Sequence, residues 1–380
     1  MTKHDYKQNA YYLMYLIRCI LNNSIPAKEK LGKMDLSGVF AVAKAHSLTA
    51  IAAYALEAAG IYDKDFEEEK NKSIRKTIIL NAERENVLAE LEKAGIWYMP
   101  LKGIIIKDLY PQIGMRQMAD NDIIFDNNRS DDVRKIMQSF GFQTESFDSG
   151  NHDVYYKPPV CNFEMHTQLF GDWHQEEFYT YFSNIFQKVI KDSENGYGYH
   201  LSVEDFYIYI TAHNYKHYSS GGTGLRSLVD TYVYLNHYAD KLDIKYVETE
   251  CEKLGIAEYE KHNRELALHL LGGKKITAGE CEMFDYIIFS GTYGTVENSI
   301  NNKLSKQNVN HFAKLEYIKT RLFVPIRKSH PMYKAYSARY KWFYKNRARL
   351  PLLFFYRLCL ALTSRRGRTK GEIEALKRVK

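Results

Sequence analysis

The sequence predicts an α+β protein: a small mixed α/β unit with a short sheet, set between N-terminal helices and a larger helical half. Three observations predict it. Apolar residues fall at helical spacing through the first ninety or so residues, the order changes to strand, helix, strand, helix and further strands between about residues 95 and 172, and the helical period then returns. At 380 residues, with 45% hydrophobic and 26% charged residues, the chain can build at least one sizeable core and more than one domain, and its composition excludes a disordered protein.

In chain order, Tyr11, Met14, Tyr15, Ile17, Arg18 and Ile20 begin a helical stretch that stops before Ile25 and Pro26. Residues 36–59 are rich in Ala, Leu and Val, with Gly38 as their one breaker, and read as helical. Residues 64–94 form a long charged helix with Ile78, Leu80, Val87, Leu88 and Leu91 at helical spacing, closed by Gly95. The period then changes. Residues 96–101 read as a short strand, Lys102 and Gly103 as the turn into an apolar helix over 104–110, residues 121–126 as a second strand and 131–140 as a helix ended by Gly141. Strands follow at 142–147, 153–157 and 161–170. Helices are expected over 176–191, 203–219, 225–238, 244–254 and 257–271; residues 272–312 are less regular, and the tail carries two or three further helices. This divides the chain into an N-terminal helical region (1–94), an α/β core (95–172), a helical domain (173–272) and a C-terminal extension (273–380).

The net charge of +7 conceals an asymmetry. Residues 301–380 hold 21 Lys or Arg against 3 Glu, which leaves 32 basic and 43 acidic residues in the rest of the chain. A basic extension on an acidic body seeks an anionic surface: a membrane face, nucleic acid, or the body itself. Its cations interleave with aromatic residues from Tyr333 to Arg349, and an apolar stretch over 350–362 precedes Arg365, Arg366 and Arg368, which suits peripheral membrane contact. Contact with RNA is the less favoured alternative. The five cysteines (Cys19, Cys161, Cys251, Cys281, Cys359) are odd in number and never spaced as CxxC, and the N-terminus is polar. These features argue against a disulfide framework, a cysteine zinc site or a secretory signal, and the expected location is the cytoplasm, at the inner membrane face where the extension binds.

The informative stretch is Leu101-Lys102-Gly103, then Tyr110-Pro111, then Arg116-x-Met118-x-Asp120-x-Asp122. On a strand, alternate side chains share a face, so Asp120 and Asp122 point the same way and can hold Mg²⁺, whose preferred ligands are hard oxygens. About forty residues on, Glu164-x-His166 offers a third carboxylate and an imidazole on another strand. Three converging acids are what two-metal phosphoryl chemistry requires, because a pair of cations stabilises charge on the attacking, leaving and equatorial oxygens. Gly103, opening a helix, would let backbone N–H groups approach a triphosphate, to which Lys102 and Arg116 would supply cations. His213, Lys216 and His217 share one helical face. Lys216 could contact phosphate. Asn214 stands where a zinc-protease helix would carry its glutamate, so zinc is disfavoured there. Arg226 and Asp230, four apart, are expected to form a structural ion pair.

At these residues the chain resembles the nucleotidyltransferase superfamily related to DNA polymerase β, and within it a bacterial uncharacterised-nucleotidyltransferase branch. The resemblance continues into His213-x-x-Lys216-His217 and Leu225-Arg226-x-Leu228-x-Asp230 and covers roughly residues 75–270. It implies a minimal nucleotidyltransferase core followed by a helical domain that closes over the nucleotide. The implied activity is transfer of a nucleoside monophosphate from an NTP to a hydroxyl of a small-molecule or sugar-like acceptor, with two Mg²⁺ ions (Mn²⁺ substituting) and release of pyrophosphate. Asp120, Asp122 and Glu164 would be catalytic and metal-binding, with Lys102, Gly103, Arg116, His166 and Lys216 around the nucleotide. The chain departs from the wider superfamily at the phosphate turn, where a lysine and a single glycine replace the usual Gly-Ser or Gly-Gly. Two other classes compete with this reading: a non-catalytic nucleotide-binding or scaffolding protein at the membrane, and an RNA- or protein-modifying toxin-type nucleotidyltransferase.

Overall fold

A computed structural model describes residues 1–292 apart from 149, 172–174 and 195, then residues 340–363, with isolated positions between the two. Arg365, Arg366, Arg368 and most of the basic extension lie outside the described residues.

The expected strand order is realised as a five-stranded mixed sheet of order β1-β2-β5-β4-β3, with β1 (Tyr98–Pro100), β2 (Asn121–Phe125), β3 (Gln143–Ser146), β4 (His152–Lys157) and β5 (Cys161–His166). Strands β2 and β5 run parallel, and every other pair is antiparallel. One face of the sheet is apolar. Ile123, Phe125, Phe163 and Met165 pack there with Leu80, Val87 and Leu91 of the 30-residue helix α5 (Lys64–Lys93) and with Val133 and Met137 of α7 (Ser130–Ser139). Period-2 alternation therefore sends Asp122, Ile124, Glu164 and His166 to the opposite face.

That opposite face is roofed by helices α9 (Val203–Tyr218) and α10 (Leu225–His237). These share one apolar core with α1 (Lys3–Leu21), α3 (Leu36–Ala45), α4 (Thr49–Ala58), α12 (Ala257–Gly272) and α13 (Ala278–Ser290). The N-terminal helices thus buttress the helical half, while α5 buttresses the sheet.

The structure corrects three details. The expected helical stretch over 36–59 breaks between α3 and α4, where Ser47 takes a positive φ of 56°. The cause is tertiary: buried His46 hydrogen-bonds the Ile288 carbonyl (3.1 Å) and the Leu225 amide (3.2 Å), tying the break to α13 and α10. The expected helix over 176–191 ends at Ser183, and the chain continues into β6 (Val189–Lys191), which pairs with β7 (Tyr199–Leu201). Helix α13 occupies a stretch read as irregular. Its start was nevertheless written in the sequence, as the Thr277–Glu280 capping box.

Candidate active site

Strand β1 delivers the chain to Lys102, whose φ of 47° puts a non-glycine residue in the left-handed region at a cost of about 1–3 kcal/mol. The Leu101 amide donates to the Asp122 carbonyl (2.9 Å), which fixes this turn against β2. On β2, Asn121 faces away from the acids: its Nδ2 donates to the Leu80 carbonyl of α5 (3.0 Å), and its Oδ1 accepts from Arg84 (3.4 Å). Anchoring Asn121 to α5 turns the alternate residue Asp122 towards the cavity. Asp122 stands in register with Glu164 across the parallel pair, and His152 on β4 stands in register with His166.

The side chains converge. Asp122 Oδ1 accepts from Lys102 Nζ at 2.7 Å and from His166 Nε2 at 2.9 Å. Glu164 lies 4.0 Å from Lys102 and 3.6 Å from His166 through Oε2, and 3.8 Å from His152 Nε2 through Oε1. With Asp120, these residues line a cavity of about 340 Å³, whose other wall includes His213, Lys216 and Arg226. His213 and His217 hydrogen-bond each other through Nε2 at 3.2 Å.

Two site residues are placed differently from expectation. Arg116 is not free for a triphosphate: Nε and Nη2 grip both oxygens of Asp230 at 2.9 Å, and Nη1 reaches Met118 Sδ at 3.1 Å. Asp230 therefore pairs with Arg116 and not, as expected, with Arg226, which instead donates to the Gln117 carbonyl (3.2 Å). The lack of a Cβ at Gly103 makes room for this same guanidinium, since a Cβ there would collide with Arg116 Nη1 and lie 3.1 Å from Met118 Cε. Gly103 is thus explained by close packing, and its helix spans four residues only.

Burial and the neighbouring carboxylates of Asp122 and Glu164 push the Asp120 carboxyl up to about 7. Burial would raise Asp122 as well, but the Lys102 ammonium and the His166 hydrogen bond outweigh it and hold Asp122 well below the usual carboxylate range. Burial likewise opposes ionisation of Glu164, and the His166 contact still leaves its carboxyl lowered. Burial, followed by the Lys102 charge, pushes Lys216 down to about 8. Three carboxyls thus crowd a small volume beside a lysine already committed to one of them, an imbalance that favours a bound cation.

A model of a family described as uncharacterised nucleotidyltransferase matches residues 32–272. The chain belongs to that family. It is a nucleotidyltransferase enzyme, and an NTP is its substrate. No curated protein and no solved structure is detectably similar to it. Nucleotidyltransferases generally use a divalent metal, and the donor set fits one: converging carboxylates, the imidazoles of His152 and His166, and a buried His166 Nδ1 with no hydrogen-bond partner among the described residues.

Sequence reasoning missed His152 and the cavity position of Arg226. His152 sits one residue before the strand expected at 153–157, and only the register of β4 against β5 brings it to His166. Nothing in the spacing signals that. Arg226 was readable as a cation on the face of α10, but the nearer Asp230 masked its direction.

Proposed function

We propose that this enzyme transfers a nucleoside monophosphate from an NTP, with Mg²⁺, to a hydroxyl group of a small-molecule or sugar-like acceptor, and that pyrophosphate leaves. The observation that carries the reading is the in-register pair Asp122 and Glu164, with Asp120 beside them, on the floor of a cavity whose roof brings Lys216 and Arg226. Acids alone would repel a triphosphate. Acids facing cations would accommodate both a metal ion and the phosphates of the nucleotide.

Asp120, Asp122 and Glu164 hold the cation, which when bound supplies Lewis-acid stabilisation of charge at the α-phosphate. Lys102, Lys216 and Arg226 bind phosphate oxygens, Lys216 and Arg226 from the helical roof. His166 orients Asp122, and Glu164 accepts the proton of the attacking hydroxyl. Helices α9 and α10 cover the nucleotide and exclude water from the reacting atoms. A second cavity of about 520 Å³ adjoins the first at Leu169. Its walls carry Trp97, Phe186 and Tyr199 beside Asp126 and Asn128, a mixture of aromatic surface and hydrogen-bonding groups suited to a sugar-like acceptor.

The test is a screen of the four NTPs with Mg²⁺ or Mn²⁺ against small hydroxyl acceptors, read by pyrophosphate release and by the mass of the product. Release by the native chain and its loss in a folded Asp120→Ala variant is the expected result. ATP binding with no release for any acceptor would leave only a nucleotide-binding role.

A second assignment concerns location: the protein works in the cytoplasm, with its basic extension against the inner membrane face. Supporting it, Trp342, Leu352 and Phe355 are more than half exposed within the basic segment, and no described helix is long and apolar enough to cross a bilayer. Full-length protein should float with anionic vesicles and not with neutral ones.

A further inference from the structure

We propose that His152, Glu164 and His166 form a site for a first-row transition-metal ion, so that this side of the centre takes Mn²⁺, Co²⁺ or Zn²⁺ in preference to Mg²⁺. The three ligand groups come from two adjacent strands in fixed register, and their donor atoms all lie within 4.8 Å of one another. Two donors each about 2.1 Å from a tetrahedral ion lie roughly 3.4 Å apart. The separations here, 3.8 Å from His152 Nε2 to Glu164 Oε1 and 3.6 Å from His166 Nε2 to Glu164 Oε2, need only a small contraction to meet that value. Ligation through His166 Nε2 replaces its 2.9 Å hydrogen bond to Asp122 Oδ1, the ring proton passing to Nδ1.

The second layer of contacts selects the lone pair that the site needs. Asn151 is buried, and its Nδ2 donates to the Gln168 carbonyl (3.4 Å), which points its Oδ1 at His152 Nδ1, 3.2 Å away. An amide oxygen only accepts, so Nδ1 carries the proton and Nε2 presents its lone pair towards Glu164. This is the arrangement in which a histidine ligates metal. His166 is 2% exposed, yet its Nδ1 has no hydrogen-bond partner among the described residues, which is unusual for a purely structural histidine. His152 is about one-third exposed in its side chain and borders the cavity, which gives an ion an entry path.

Chemistry then sets the preference. Imidazole nitrogen is a good ligand for Mn²⁺ through Zn²⁺ and a poor one for Mg²⁺, which keeps to oxygen and water. Asp120 and Asp122 offer oxygen alone and remain suited to Mg²⁺, so the two sides of the centre differ in the ions they select. The inference rests on ligand geometry and does not require nucleotidyl transfer.

The experiment uses the full chain without nucleotide and Mn²⁺ as the probe. Electron spin echo modulation of the bound ion should show coupling to imidazole nitrogen. Equilibrium titration should show Mn²⁺ affinity falling at least tenfold in His152→Ala and in the bulkier His152→Gln, while Mg²⁺ affinity changes less than twofold. Mn²⁺ bound without nitrogen coupling, no Mn²⁺ bound at all, or equal loss of both metals in the variants would each overturn the proposal. Because the native chain alone gives the nitrogen signal, the outcome does not depend on a variant folding. A nitrogen-ligated ion in an enzyme that releases no pyrophosphate would uphold this site and remove the functional reading instead.

Discussion

Two carboxylate clusters line one cavity and differ in how their charge is met. At the junction of the sheet and α10, Asp230 accepts two hydrogen bonds from Arg116 and a third from the Tyr110 hydroxyl at 2.7 Å, with all three residues less than a tenth exposed. On the face of β2 and β5, Asp120, Asp122 and Glu164 share one lysine, and one of the acids is held protonated up to about pH 7. The first cluster balances charge and geometry by itself. The second does so only when something positive arrives, and that difference separates a structural ion pair from a site.

Substitution should break the comparison in opposite directions. Asp122→Asn removes a carboxylate that the proposed chemistry needs, and nucleotidyl transfer should fall by about 10⁴-fold, roughly 5.4 kcal/mol of transition-state stabilisation, with the fold retained. Single-turnover assays on the folded variant decide this; a loss below tenfold would sink the assignment. Arg116→Ala leaves Asp230 buried and unpaired, so its effect belongs to stability: about 3–5 kcal/mol in denaturant unfolding. Adding Asp230→Asn should recover part of that loss, as a coupled pair requires. If Arg116→Ala unfolds normally and fails only in NTP binding, Arg116 is a phosphate ligand after all.

How much of this the sequence disclosed depends on the range of the interaction. The α/β core, the pair Asp120-x-Asp122 and Glu164-x-His166 were legible because strand alternation and local motif order place them. Lys102 was legible as a nearby cation, although its positive φ was not. The partner of Arg116 was hidden because Asp230 lies 114 residues away on α10, and a four-residue spacing made Arg226 look like the natural mate. His152 was hidden for the same reason, since strand register is a tertiary fact. The break at His46 contradicted strong helical propensity because contacts with α10 and α13 overrode it.

The charge imbalance of the second cluster also predicts a pH response that the first should lack. Asp120 has its folded value raised to about 7, against about 3.9 for an unperturbed aspartate. A raised value means the protonated form is favoured by the fold, so the associated stability is present below about pH 4 and is lost as pH rises through about 7. A divalent cation reverses this by favouring the ionised carboxylate. Apparent cation affinity should therefore fall about tenfold from pH 8 to pH 6, one proton being displaced over that window. In Asp120→Asn the slope should vanish. An unchanged slope in that variant would assign the proton to another group.

The smallest expected effect comes from the roof of the cavity. Lys216 titrates at about 8 because burial and the Lys102 charge both disfavour its ammonium, and it is charged below that pH and neutral above it. If it binds phosphate, kcat/KM for the NTP should decline above about pH 8, while Lys216→Arg, with a cation that does not titrate in this range, should remain flat. Lys216→Ala should cost about 1 kcal/mol, roughly fivefold in KM, since a part-exposed lysine is screened by solvent. A decline above pH 8 that persists in Lys216→Arg would assign the titration to another group, and would leave Arg226 as the roof cation that faces the acids across the cavity.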